Sequence, residues 1–140
     1  MREQTLQELE GTDWGEPPYD SHLVTERYRL RRVPLNRLRI EDLRLLIGQG
    51  DGLQYLVPIA LQHLENYPFA KGDFYPGDLL KNVASVEEAF WTTHPPLRAQ
   101  LIKALDRALE RIHRIEVPLE LPAELRSYSA HHRGAAAGAA

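Results

Sequence analysis

Pro95-Pro96-Leu97-Arg98-Ala99-Gln100-Leu101-Ile102-Lys103-Ala104-Leu105-Asp106-Arg107-Ala108-Leu109-Glu110-Arg111-Ile112 is the stretch whose reading decides the fold. Leu97, Leu101, Ile102, Leu105, Ala108, Leu109 and Ile112 recur at three- and four-residue spacing, the apolar stripe of an amphipathic helix. Arg98, Lys103, Arg107 and Arg111 share the other face with Asp106 and Glu110. Pro118 and Pro122 are expected to end regular structure beyond it.

The same spacing extends towards the N-terminus. Leu53, Leu56, Val57, Ala60, Leu61 and Leu64 predict a helix over 53–64 that Pro58 begins or kinks. Ile40, Leu43, Leu46 and Ile47 predict a helix over 40–48, with Glu41 and Asp42 at the positive end of its dipole. Residues 21–32 favour a helix that stops before Pro34, and Asp20-Ser21 suits a helix cap. A short helix over 2–10 turns Leu6 and Leu9 inward and stops at Gly11. Another runs from Pro76 to Val83, and Ser85-Val86-Glu87-Glu88 fits a capping box ahead of one more through Phe90 or Trp91. No segment shows sustained period-two alternation. The expectation is an all-α, compact single-domain bundle of about five to seven short helices with irregular, proline-rich connections. Its domain spans 1–122. Residues 123–140, closing in Gly134-Ala135-Ala136-Ala137-Gly138-Ala139-Ala140, are expected to form a flexible tail.

Composition narrows the function. Of 140 residues, 43% are hydrophobic and 26% charged, the ordinary mix of a soluble globular domain. The absence of cysteine excludes disulfides, thiolate metal sites and a cysteine nucleophile, and fits a reducing cytoplasm. Leu56 to Leu61, the longest strongly apolar stretch, is far too short to cross a bilayer, and the polar start lacks a signal peptide's apolar run. The expectation is a cytoplasmic chain with no membrane partner.

Catalytic chemistry finds little footing. His22, His63, His94 and His113 lack metal-ligand spacing, and His131-His132 falls in the expected tail. Ser21 beside Asp20 and His22 has the residues of a triad, but adjacent residues cannot converge as one. Asp73 and Asp78 are simpler as a turn residue and a helix-start residue than as paired acids. Gly48-Gln49-Gly50-Asp51-Gly52 lacks the lysine and Ser/Thr of a phosphate loop. No cofactor is implied, and no enzyme.

Charge is segmented beneath a net −3. Residues 1–26 carry seven acids and one base; residues 27–39 carry six arginines, Arg27, Arg29, Arg31, Arg32, Arg37 and Arg39, and no acid. The arginine block is basic enough to touch phosphates, yet the chain is acidic overall. Pairing of those arginines with neighbouring acids is the plainer expectation.

Several linked segments carry a resemblance. They are Asp13-Trp14-Gly15-Glu16-Pro17-Pro18-Tyr19-Asp20-Ser21-His22-Leu23-Val24, Arg29-Leu30-Arg31-Arg32-Val33-Pro34-Leu35, Glu41 to Gln49, Leu53 to Leu61, Gly72-Asp73-Phe74-Tyr75-Pro76-Gly77-Asp78-Leu79-Leu80, and Phe90-Trp91. In this order, over roughly residues 5–115, they resemble a family of immunity proteins of bacterial contact-dependent growth inhibition (CDI) systems. Arg27-Tyr28 departs from a cysteine–histidine pair, and Arg39 stands where the family usually has a threonine cap. The resemblance implies a non-enzymatic protein that binds the C-terminal toxin domain of a surface-displayed effector and blocks it. Many such toxins are nucleases with basic clefts, so an acidic inhibitor surface would steer association. That makes Asp13, Glu16, Asp20, Glu26, Asp73, Asp78, Glu87 and Glu88 the candidate toxin-binding residues, with no direct nucleic-acid contact. Trp14, Tyr19, Tyr55, Phe74, Tyr75 and Trp91 are expected mostly to anchor the core. A helical adaptor for an unrelated protein and a small nucleic-acid regulator are the alternatives. Oligomeric state is not legible.

Overall fold

The computed structural model describes residues 2–139, and its secondary structure follows local chemistry closely. Thr5 and Glu8 cap one another's amides to open α1 (Leu6–Glu10), and Gly11 closes it. Ser21 Oγ accepts from the Val24 amide at the start of α2 (His22–Leu30). Beyond Pro34 a 3-10 turn, Leu35–Arg37, leads to α3 (Ile40–Gly48). Arg39, at the N-cap of α3, has no acceptor atom to offer. Asp42 compensates by reaching back to the Arg39 amide at 2.9 Å and clasping its guanidinium.

Next come α4 (Leu53–Asn66), with Pro58 inside it, α5 (Asp78–Ala84), α6 (Glu88–Thr93) and α7 (Pro95–Arg111). A second 3-10 turn, Ile112–Arg114, and an extended link lead to α8 (Leu121–Ala139). Among the described residues no strand forms; the one bridge pairs Lys71 with Pro76. The all-α expectation holds.

The longest amphipathic pattern occupies the middle. α7 packs against α4, α5, α6 and α8, while α3 lies on α4 and α5. Leu101, Leu105 and Ala108 of α7 are fully buried with Leu43 and Leu46 of α3, Leu56 and Leu64 of α4, and Leu79 and Leu80 of α5 in one cluster. Removing that much leucine surface from water is the main force holding these short helices together.

Several expectations fail. Arg98 is not on the solvent face: it is 5% exposed, because three- and seven-residue spacing to Leu101 and Leu105 puts it on the buried stripe. Ser85 does not cap α6; its hydroxyl donates to the Asn82 carbonyl and finishes α5. Pro76 precedes α5 by two residues, since the Lys71–Pro76 bridge holds it in the preceding loop. Two of the six aromatics expected as core anchors are exposed instead. Trp91 is fully buried, Trp14, Tyr55 and Tyr75 are half-buried, and Tyr19 and Phe74 stand in solvent.

Residues expected to form a tail are helical instead. Pro122 falls in the first turn of α8, where its missing amide is no loss. Leu121 and Leu125 are fully buried, Ser129 and His132 are buried, and Lys81–Glu124 and Arg133–Asp106 ion pairs tie the helix down. One residue per turn on the core side is enough, even with alanine and glycine beyond it.

Candidate functional site

The most organised surface lies where α3 and α5 run side by side. On α3, Glu41, Arg44 and Gly48 are three and four residues apart and so share one edge. Arg44 donates two hydrogen bonds of 2.6 Å to Glu41, and that clasp holds the Glu41 carboxyl below the usual carboxylate range. Glu41 also accepts from the Asp73 amide at 2.8 Å. One helical turn on, the Asn82 side chain of α5 donates to the Arg44 carbonyl at 2.9 Å. The absence of a side chain at Gly48 admits that contact: a Cβ there would meet Asn82 Nδ2 at 2.7 Å.

At one end of this edge stands the 71–77 loop. Asp78, 3% exposed, accepts from the amides of Gly72 at 2.7 Å, Phe74 at 3.0 Å and Tyr75 at 3.4 Å. A Cβ at residue 72 would lie 2.5 Å from Glu41 Oε1 and 3.1 Å from Asp78 Oδ2, so only glycine lets both carboxylates close on the loop. The loop presents Phe74, 67% exposed, with the Arg44 guanidinium 4.4 Å from its ring centroid. At the other end an open cleft of about 410 Å³ is lined by Gly48, Gln49, Asn82, Ser85, Val86 and Glu87.

The eight candidate acids do not gather into one patch. Asp73 and Glu87 are exposed at opposite ends of the α3–α5 edge, and neither carboxylate has a partner among the described residues. Glu16 and Asp20 are likewise exposed and unpaired on the loop before α2. On that loop Asp13 accepts from the Gly15 amide at 2.7 Å, which holds its carboxyl low, and Arg32 approaches to 3.4 Å. Glu26 is clasped by Arg29 at 2.7 and 2.9 Å, which lowers its pKa in turn. Asp78 is buried, and its oxygens accept from the amides of its own loop. Glu88 is held down to about 2, first by Arg98 and then, against a smaller cost of desolvation, by His131.

The arginine block is consumed in the same manner. Arg27 makes a bidentate contact with Asp51 at 2.7 and 2.8 Å. Arg31, buried, pairs with Glu10, donates to the Thr12 carbonyl and stacks 4.1 Å over Trp14. Arg32 reaches Gln7, Asp13 and the Gly15 carbonyl. Arg37 alone of the six has no partner among the described residues. This is the pairing with nearby acids that the sequence suggested.

Among the described residues no group of three or more His, Asp or Glu is placed to hold a metal ion. Ser21, the one serine with a triad-like neighbourhood in sequence, uses its oxygen as a helix cap. No helix is long and apolar enough to cross a membrane. The site residue that sequence reasoning misplaced is Phe74, taken for a core anchor. Its setting between Gly72-Asp73 and Pro76-Gly77, a run of turn residues, was the signal that it sits on a loop.

Most arginines of this helical domain are paired within the chain, and its most ordered surface runs from the 71–77 loop at one end of the α3–α5 edge to an open cleft at the other. The sequence model of a family described as CDI immunity proteins matches residues 8–101, about two thirds of the chain. The chain belongs to that family, whose members neutralise toxins. The matched region contains α2 to α6 and the whole α3–α5 edge; α8 lies outside it. No curated protein matches the chain. No solved structure matches it either.

Proposed function

We propose that this protein binds the cognate C-terminal toxin domain of a CDI effector, a nuclease, in the cytoplasm and covers its active site or substrate surface. Membership of the immunity family is the observation that carries this reading. Its role is stoichiometric binding rather than catalysis. The unpaired, exposed carboxylates Glu16, Asp20, Asp73 and Glu87 supply the negative surface that a phosphate-binding cleft would attract. Asp13, Glu26 and Glu88 contribute less, because each already answers to an arginine.

The test is calorimetry against the toxin domain encoded next to this gene, paired with a toxin-activity assay. The expected result is one-to-one binding that abolishes activity. Charge reversal at Glu16 with Asp20, or at Glu87, should slow association about tenfold or more and flatten its salt dependence. A correctly folded cognate toxin that stays active beside an excess of this protein would end the immunity reading. Unchanged association rates in the reversed variants would end the acidic-surface part alone.

A further inference from the structure

We propose that Phe74 and Asp73 are the anchor of the toxin interface, and that the toxin offers an apolar pocket with a lysine or arginine on its rim. The inference rests on the immunity reading and deepens it by naming the residues and the partner's chemistry.

Four observations converge on this loop. First, Phe74 gives the fold almost nothing: two thirds of its surface stays in water. Second, the chain spends heavily polar means on keeping it in place. Asp78 ties down three loop amides, Glu41 ties down a fourth, and Arg44, itself clasped by Glu41, lies against one side of the ring. A ring held rigid before binding loses little freedom when a partner covers it, which is how a few aromatic residues come to dominate an interface.

Third, the surrounding charges leave a simple remainder. Arg29 is matched by Glu26, Arg39 by Asp42 and Arg44 by Glu41. The carboxylate of Asp73 is near enough to act on Arg39 and Arg44, yet both are already engaged. Among the described residues, Asp73 and Lys71 are the charges of this loop without an ion-pair partner, and Asp73, next to the ring in the chain, calls for a cation. Fourth, the other large exposed apolar residues lack this support. Tyr19 and Tyr67 carry hydroxyls that water satisfies. Leu119, 94% exposed, sits on the link before α8, outside the family-matched region. Leu23, at the start of α2, is much less exposed than Phe74.

The experiment measures toxin affinity by calorimetry for the unmutated full chain, Phe74→Ala, Phe74→Glu, Asp73→Lys and Tyr19→Ala, each checked by thermal unfolding. Phe74→Ala should weaken binding at least about 30-fold, the hot-spot threshold, with its melting point essentially unmoved. Phe74→Glu should lose more, Asp73→Lys should lose affinity mainly at low salt, and Tyr19→Ala should stay within about threefold. If the unmutated chain binds tightly and both Phe74 variants bind as well, the anchor is elsewhere and immunity stands. If the unmutated chain does not bind the folded toxin, the immunity reading and the anchor fall together.

Discussion

At Asp78 the chain buries a carboxylate and satisfies it with three amides of the preceding loop. At Arg98 it buries a guanidinium whose Nε finds no partner, leaving Glu88 to answer the charge at the rim. The two sites should respond differently to truncation. Asp78→Ala orphans amides that Gly72 and Tyr75 cannot easily turn to water, and should cost about 2–3 kcal/mol in denaturant unfolding. It should also release Phe74, so toxin affinity falls together with stability. A loss below about 0.5 kcal/mol would mean that water replaces the carboxylate and that the loop is not held as described. Replacing Arg98 with methionine should be far milder, because an apolar side chain of similar length removes a poorly satisfied buried charge instead of stranding one.

Among the elements, α8 is the most consequential. Ending the chain before Leu121 would uncover α7 and remove two fully buried leucines. Each such loss typically costs about 2–5 kcal/mol, so the shortened protein should unfold well below the full chain or fail to accumulate. Ending it after Arg133 should cost little, since residues 134–138 contribute almost no buried surface. Thermal melts of the two truncations separate a structural helix from a passive tail.

The same helix carries a pH dependence. His132, 1% exposed, donates through Nε2 to the Ala84 carbonyl at 2.9 Å, and its Nδ1 has no partner. Trp91, Arg98, His131 and Glu88 surround it. Burial pushes the imidazole pKa below 6.5, so the docked helix needs the neutral ring. With the folded value depressed, the undocked or unfolded state takes up the proton more readily. Stability is therefore full above about pH 6.5 and declines as pH falls below it. Corrected for the intrinsic rate, the protection of residues 121–139 against hydrogen exchange should fall between about pH 7 and 5, and His132→Gln should abolish that response. An equal loss of protection in the variant would assign the effect to another group.

For the molecule as a whole, charge is mostly turned inward. Six arginines in thirteen residues invite a nucleic-acid reading, but five of them are committed to acids or carbonyls of this chain. Releasing them to phosphate would cost those contacts, so affinity should be negligible. Fluorescence anisotropy with generic duplex DNA or RNA at about 50 mM salt should show no binding below about 100 µM, weaker than ordinary non-specific binders. Tight, salt-sensitive binding would revive the regulator reading.

Local order was largely decided by the sequence alone. The bounds of α3, the Ser21 cap, the stop at Gly11 and the leucine stripe of α7 depend on residues within one or two turns of each other. Family membership was legible for the same reason, because ordered short motifs are themselves local text. Tertiary structure alone decided the fate of polar and aromatic side chains. Arg98 shares a stripe with Leu101 and Leu105, yet only the packed fold shows that a charged residue at that position is buried. The sequence could not place His132 against an Ala84 carbonyl 48 positions away, or show that Leu121 and Leu125 dock the end of the chain as a helix. Phe74 was the sharpest case: a large ring reads as core until the carboxylates of Asp78 and Glu41 are seen fixing its loop outside. Helix formation follows from spacing along the chain, whereas burial and the pairing of charges follow from partners that only the folded packing brings within bonding distance.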